Sequence, residues 1–201
     1  MESLNRTERT IKMSRSALLN SPSMDDEFFT HVRFVEPEDA EFICNLRSDQ
    51  SLNKHISKSD PDINAQRAWI EKYKEREASG NEFYFVIQNQ MKNYGVVRMY
   101  DFKGNSFSWG SWIILPSRPS GLVTYSAVMV YEMGFETLGF EQSHFDVRLS
   151  NKKVIDFHLR SGAQETQRSD LDQYFIFPKS SWPKFRELSA EQIKMHRLFH
   201  G

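Results

Sequence analysis

Arg118, Ser120 and Gly121 stand in a short turn, Arg118-Pro-Ser-Gly-Leu-Val123, directly ahead of a long apolar helical pattern. Such a turn can aim backbone N–H groups and the positive end of a helix dipole at an anion, for example a pyrophosphate. Just upstream, residues 107–114 read as a strand with Gly110 at its middle. Glycine inside a strand marks a bulge, or a place where a ligand or a second backbone comes close. Strand, bulge, anion-type turn and helix, in that order, make a cofactor-binding unit. Further on, Asn151, Val154 and His158 fall at i, i+3 and i+7, so one helical stripe carries all three.

The elements that must position these groups are legible in outline. Residues 31–35 alternate as a first strand, and Pro37 opens a helix with Phe42, Ile43 and Leu46 on its apolar side. After a turn at Asp60-Pro61-Asp62, Ala65, Trp69, Ile70, Tyr73 and Glu77 recur at helical spacing until Gly80. Strands are expected at 83–87 and 94–100, joined by a polar loop at 89–93, and a tight turn at 103–105 leads into the glycine-bearing strand. A long helix runs from Leu122 to Leu138. The next strand, 143–149, puts Phe145, Val147 and Leu149 on one face and His144, Asp146 and Arg148 on the other. Asn151 caps a helix ending at Gly162, strands follow at 163–168 and 173–177, and a charged helix closes the chain at 181–199. Three antiparallel strands followed by a helical crossover specify α/β with a mixed sheet.

Bulk properties narrow the function. At 201 residues one domain is expected, here 28–201, preceded by a Ser-, Asn- and Arg-rich arm at 1–27. Net charge is −1, from 26 basic and 27 acidic residues, so neither nucleic acid nor a membrane surface is drawn by bulk charge. Cys44 is the single cysteine, which excludes an internal disulfide and fits a reducing, cytoplasmic setting. No run approaches the roughly 20 apolar residues of a membrane span.

The element order, with the turn after the fourth strand and Asn151 just after the fifth, resembles the GNAT acyltransferase superfamily over about residues 31–178. The resemblance implies a single α/β domain with a mixed, mostly antiparallel sheet splayed between strands 4 and 5 and helices on both faces. It places acetyl-CoA in the gap as co-substrate, with no metal. The family's turn reads Gln/Arg-x-x-Gly-x-Gly/Ala; Arg118 and Gly121 match it, Val123 does not, and Pro119 removes one amide donor. Arg118, Ser120, Gly121, Leu122 and Val123 are thereby assigned to the pyrophosphate, and Trp112, Ile113 and Ile114 to the pantetheine arm through their backbone. Asn151 and Phe157 belong to the family's second block and are also assigned to the cofactor. His158 falls where the family places a tyrosine that protonates the leaving thiolate, a task suited to an ordinary imidazole pKa of about 6.5.

Arg98-Met-Tyr-Asp101-Phe, Trp-Gly-Ser-Trp112 and Phe157-His158 resemble a subgroup tied to bacterial surface-polysaccharide assembly, whose members acetylate amino groups on nucleotide-linked deoxysugars. On that resemblance a primary amine attacks the thioester, and the N–H groups beside the bulge at Ser111 and Trp112 polarise its oxygen. Asp101 is the candidate base, with His144 and Asp146 as alternatives. Arg98 suits a diphosphate, and Tyr100 or Trp69 a nucleotide base. The partner is then a small-molecule amine, a sugar nucleotide, and the enzyme a monomer or homodimer. Two other readings stand beside this one: acetylation of protein N-termini, and a catalytically silent module that binds acyl-CoA.

Overall fold

The computed structural model describes residues 31–52, 54–55, 62–89 and 92–195. The arm at 1–27, the turn residues Asp60 and Pro61, part of the 89–93 loop and the end of the last helix lie outside them. One seven-stranded sheet runs in the order β1-β2-β3-β4-β5-β7-β6. Its strands are β1 (His31–Phe34), β2 (Phe83–Gln88), β3 (Asn93–Lys103), β4 (Ser106–Ile114), β5 (Gln142–Arg148), β6 (Gln164–Arg168) and β7 (Asp172–Pro178). All neighbours are antiparallel except β4 and β5.

Both faces of the first half of the sheet are buried, which is why β2 reads as an unbroken apolar run. Tyr84 and Val86 meet Ile43 and Leu46 of α1 (Ala40–Ser48) and Ile70 and Tyr73 of α2 (Ile63–Ala78). Phe83, Phe85 and Ile87 join the larger core on the opposite face, under α3 (Leu122–Glu132), α4 (Lys152–Ser161) and α5 (Trp182–Leu188). Asp62 starts α2 by accepting hydrogen bonds from the amides of Asn64 and Ala65.

Three elements depart from the sequence pattern. The long helix after the turn changes to a π-turn at Met133–Thr137, where Gly134 lies against the Phe107 ring. Asn151 occupies the cap position of α4 but its side chain makes no capping bond; its backbone region, with Arg148 and Val154, closes the turn instead. The closing helix is divided: α5 ends at Leu188, and a short α6 (Ala190–Met195) restarts after Ser189.

Between β4 and β5 the ladder pairs Ser106 with Gln142 and Phe107 with Ser143, and beyond those pairs the strands part. The sheet is forked there, as the family resemblance implied. Two bulges flank the fork. Val96 pairs with Ile113 and Arg98 with Gly110, so Val97 faces both Ser111 and Trp112. That extra residue reverses the alternation of β4: Phe107 and Trp109 point into the larger core, whereas Ile113 points to the smaller one. The second bulge lies in β3 at Asp101 and Phe102. Among the described residues, Ser111 and Asp101 are the non-glycine residues with positive φ, at 46° and 52°.

Candidate active site

The bulge falls one residue after Gly110. Gly110 serves the neighbouring strand instead: a Cβ there would stand 3.1 Å from the Tyr100 hydroxyl, so the missing side chain lets that ring lie across β4. Ser111 takes the left-handed conformation, a costly state for a residue with a side chain, and such strain collects where a backbone must be aimed. Trp112 donates from Nε1 to Ser126 Oγ at 2.9 Å, and Ser126 donates to the Val123 carbonyl at 2.9 Å. Bulge and first helical turn are thereby tied together.

A cleft of about 770 Å³ opens at the fork. It brings together Trp69, Arg98, Tyr100, Ser111, Trp112, Asn151 and His158 of the sequence-derived set. The turn at 118–123 lies outside that lining, at the start of α3. There Gly121 has a φ of +79°, which explains the glycine, and its carbonyl accepts from Tyr125 N at 2.9 Å. The helix start leaves first-turn amides without intrahelical acceptors. Leu122 is fully buried and Ile113 nearly so, leaving only their backbone for a ligand. Ile114 packs on the larger core and Phe157 on Trp112, with ring centroids 5.5 Å apart. The Arg118 guanidinium folds back on the Leu115 carbonyl at 3.5 Å.

His158 is 3% exposed and boxed by rings, with Phe145 at 4.3 Å and Trp109 and Phe157 at 5.4 Å. Its Nδ1 has no hydrogen-bond partner. Burial alone pushes its pKa from the usual 6.5 down to about 3, so the resting ring is neutral. An acid that starts protonated, as the sequence analysis supposed, is therefore not what this ring offers. It must first acquire a proton.

Asp101 stands apart from the cleft. Its carboxylate receives Lys103 Nζ at 2.7 Å and contacts His144 Nε2 at 3.1 Å, and those partners hold its pKa below the usual range. His144 Nδ1 is in turn 2.7 Å from Ser106 Oγ. A carboxylate depressed and held on two sides is a poor proton acceptor. Asp146, two residues along β5 from His144, does line the cleft, and partial burial together with Asp172 raises its pKa against the opposing pull of Arg148.

Sequence reasoning missed Arg47, His55 and Glu82. Arg47 and His55 line the cleft, and His55 Nδ1 reaches Ser150 Oγ at 3.0 Å. Long-range contact places each of them, and no local spacing announces it.

A family model described as Acetyltransferase (GNAT) domain matches residues 31–164. The chain belongs to the GNAT acetyltransferase family. As a member it is an N-acetyltransferase. Among solved structures it is similar to apo FdhC, a nucleotide-linked sugar GNAT: identity is 48%, the match covers 81% of this chain and 94% of that one, and the TM-score is 0.74. Spermidine N-acetyltransferase from Vibrio cholerae, in complex with CoA and spermine, shares the fold at 16% identity, over 77% of this chain and 98% of that one, with a TM-score of 0.65. A probable acetyltransferase matches at 18% identity, over 80% and 97% of the two chains, with a TM-score of 0.68. No curated protein gives a match. Among the described residues, no helix of this GNAT enzyme is long and apolar enough to cross a membrane.

Proposed function

We propose that this GNAT enzyme transfers the acetyl group of acetyl-CoA to the amino group of a nucleotide-linked deoxysugar. The observation that carries the reading is the likeness to the nucleotide-linked sugar GNAT, at 48% identity over 94% of that chain. The cleft chemistry agrees. Arg47, Arg98 and Arg148 line it beside Trp69, Tyr84 and Tyr100, a set suited to a diphosphate joined to a base and a sugar. These three arginines outnumber the two carboxylates of the lining, Asp62 and Asp146, a balance that favours a diphosphate over a polyamine.

The residues present fit acetyl-CoA. The fork leaves the β5-facing side of β4 without a strand partner around Trp112, Ile113 and Ile114, open to the pantetheine arm, and the Arg118–Val123 turn opens α3 with a left-handed glycine. Val123 and Pro119 remain departures from the family turn, so Arg118, Ser120, Gly121 and the helix amides carry the pyrophosphate. Bound there, acetyl-CoA supplies an activated thioester carbonyl. The bulge amides at Ser111 and Trp112 stabilise charge on its oxygen. Asn151, its side chain free of capping, holds the cofactor from α4.

Two protons must move. Asp146 takes the first from the incoming ammonium, which frees the nucleophilic amine. When nitrogen bonds to the acetyl carbon, the second proton passes to neutral His158 and from there to the departing sulfur as the C–S bond breaks. This gives His158 the acid role by relay. We place the reaction in the cytoplasm, where both substrates are made, with the product serving polysaccharide assembly and the enzyme a monomer or homodimer.

Thiol release from acetyl-CoA tests the reading, with amino-deoxysugar nucleotides, spermidine and an N-terminal peptide as acceptors. Turnover confined to the sugar nucleotides is the expected result, and turnover confined to the peptide or polyamine would sink it. Calorimetry with acetyl-CoA beside Gly121→Trp tests the turn, where binding should be lost in the variant, and binding by the wild type with no turnover on any amine would favour the silent module.

A further inference from the structure

Glu82 lies in the turn ahead of β2, 4% exposed and outside the cleft lining, yet two arginines from different elements converge on it. Arg98 of β3 donates from Nε to Oε1 at 2.5 Å, and Arg76 of α2 from Nε to Oε2 at 2.7 Å. Both guanidiniums lie over the Trp69 ring, Arg76 at 5.3 Å and Arg98 at 5.1 Å, and Arg98 also lies over Tyr100 at 4.8 Å. Trp69 is therefore already a platform for guanidinium groups, which leaves less of it for a nucleobase than the sequence reading assigned.

We propose that Glu82 is a positioning residue for the acceptor: it fixes Arg98 on the cleft wall so that its outer nitrogens meet the diphosphate of the sugar nucleotide. Arg98 lines the cleft while its Nε is committed to Glu82, which leaves the Nη atoms of its fork for a ligand. An arginine on a strand surface gives up rotamer entropy when it is fixed by its ligand. Here the buried carboxylate and two rings have fixed it beforehand, so the ligand meets a prearranged fork. A buried carboxylate with a single partner is poorly compensated, and Arg76 supplies the second.

The assignment rests on the acceptor reading above, and the test separates the two. UDP and dTDP are titrated into the wild type, Glu82→Gln, Arg98→Ala, the double variant and Arg76→Ala, with acetyl-CoA titrated alongside. Glu82→Gln is expected to weaken nucleoside diphosphate binding about tenfold and raise the acceptor KM, with kcat and acetyl-CoA affinity kept. The double variant should bind no more weakly than Arg98→Ala, because Glu82 acts through Arg98. Arg76→Ala, which leaves the Arg98 contact in place, should stay within about twofold of the wild type. Glu82→Asp keeps the charge if Glu82→Gln does not fold, and it should weaken diphosphate binding while leaving acetyl-CoA binding intact. Wild type that binds neither diphosphate overturns the acceptor reading and this assignment with it. Wild type that binds while Glu82→Gln and Glu82→Asp bind equally well overturns the role of Glu82 alone. Additive losses in the double variant also overturn it.

Discussion

A histidine sealed among Trp109, Phe145 and Phe157 must fold without charge, and that has a signature in stability as well as in rate. The pKa of His158 is about 3 when folded against 6.5 ordinarily. Above pH 6.5 both states are neutral and the group costs nothing. As pH falls from 6.5 toward 3, the unfolded chain binds a proton that the folded one refuses, so stability drops by about 1.4 kcal/mol per pH unit. Between pH 7 and pH 5 the wild type should therefore lose roughly 2 kcal/mol more than His158→Phe, read from urea midpoints at the two pH values. The same variant should lower kcat about 100-fold with acetyl-CoA still bound, and Asp146→Asn should do likewise and remove the acid limb of the pH–rate profile. Normal turnover by His158→Phe would end the relay assignment. The stripe joining Asn151 to His158 was legible from spacing. The neutrality of the ring was not, because the rings that dry it arrive from β4, β5 and α4 together. Glu82 was illegible for a similar reason: its partners lie on other elements and only the fold gathers them.

Elements with strong periodicity or a run of apolar residues were read correctly, including β2 and α2, while the fork of the sheet came from the family resemblance. The misreadings fall where tertiary contact overrides a local pattern. Gly110 was taken for the bulge, but the extra residue sits at Ser111 and the glycine admits Tyr100. The helix after the turn was read as continuous through Leu138, whereas its last part is a π-turn. Gly134 lies inside that turn, where a Cβ would stand 2.3 Å from two ring carbons of Phe107. On propensity alone Gly134→Ala gains up to about 1 kcal/mol. The clash is with a fully buried ring, and overpacking of this kind costs about 1–3 kcal/mol, so the clash should win. We expect Gly134→Ala to melt below the wild type, and a gain in thermal midpoint would show that Phe107 yields more easily than its packing implies.

At the scale of the whole molecule, the sheet behaves as two blades meeting at a narrow vertex. Ser106 and Phe107 supply the ladder contact to β5, and the Ser106–His144–Asp101 chain crosses the same point, binding β3, β4 and β5. Acetyl-CoA, lying in the gap, would touch both blades, so the angle at the vertex and the affinity of the gap are coupled. His144→Ala leaves the buried Ser106 hydroxyl without that partner, a loss of about 1–3 kcal/mol. It should also raise the acetyl-CoA Kd, because part of the binding energy must then restore the fork. Arg168→Ala, which breaks an exposed pair with Glu165 on the edge strand β6, is the contrast, and should cost about 0.5 kcal/mol or less with the Kd unmoved. Since ligand at 100 times its Kd adds about 2.7 kcal/mol to stability, melts with and without acetyl-CoA at one fixed concentration read both quantities together. His144→Ala should lower the free midpoint and shrink the ligand-induced shift. A lowered midpoint with a full shift would mean that the vertex holds the fold together but does not set the gap.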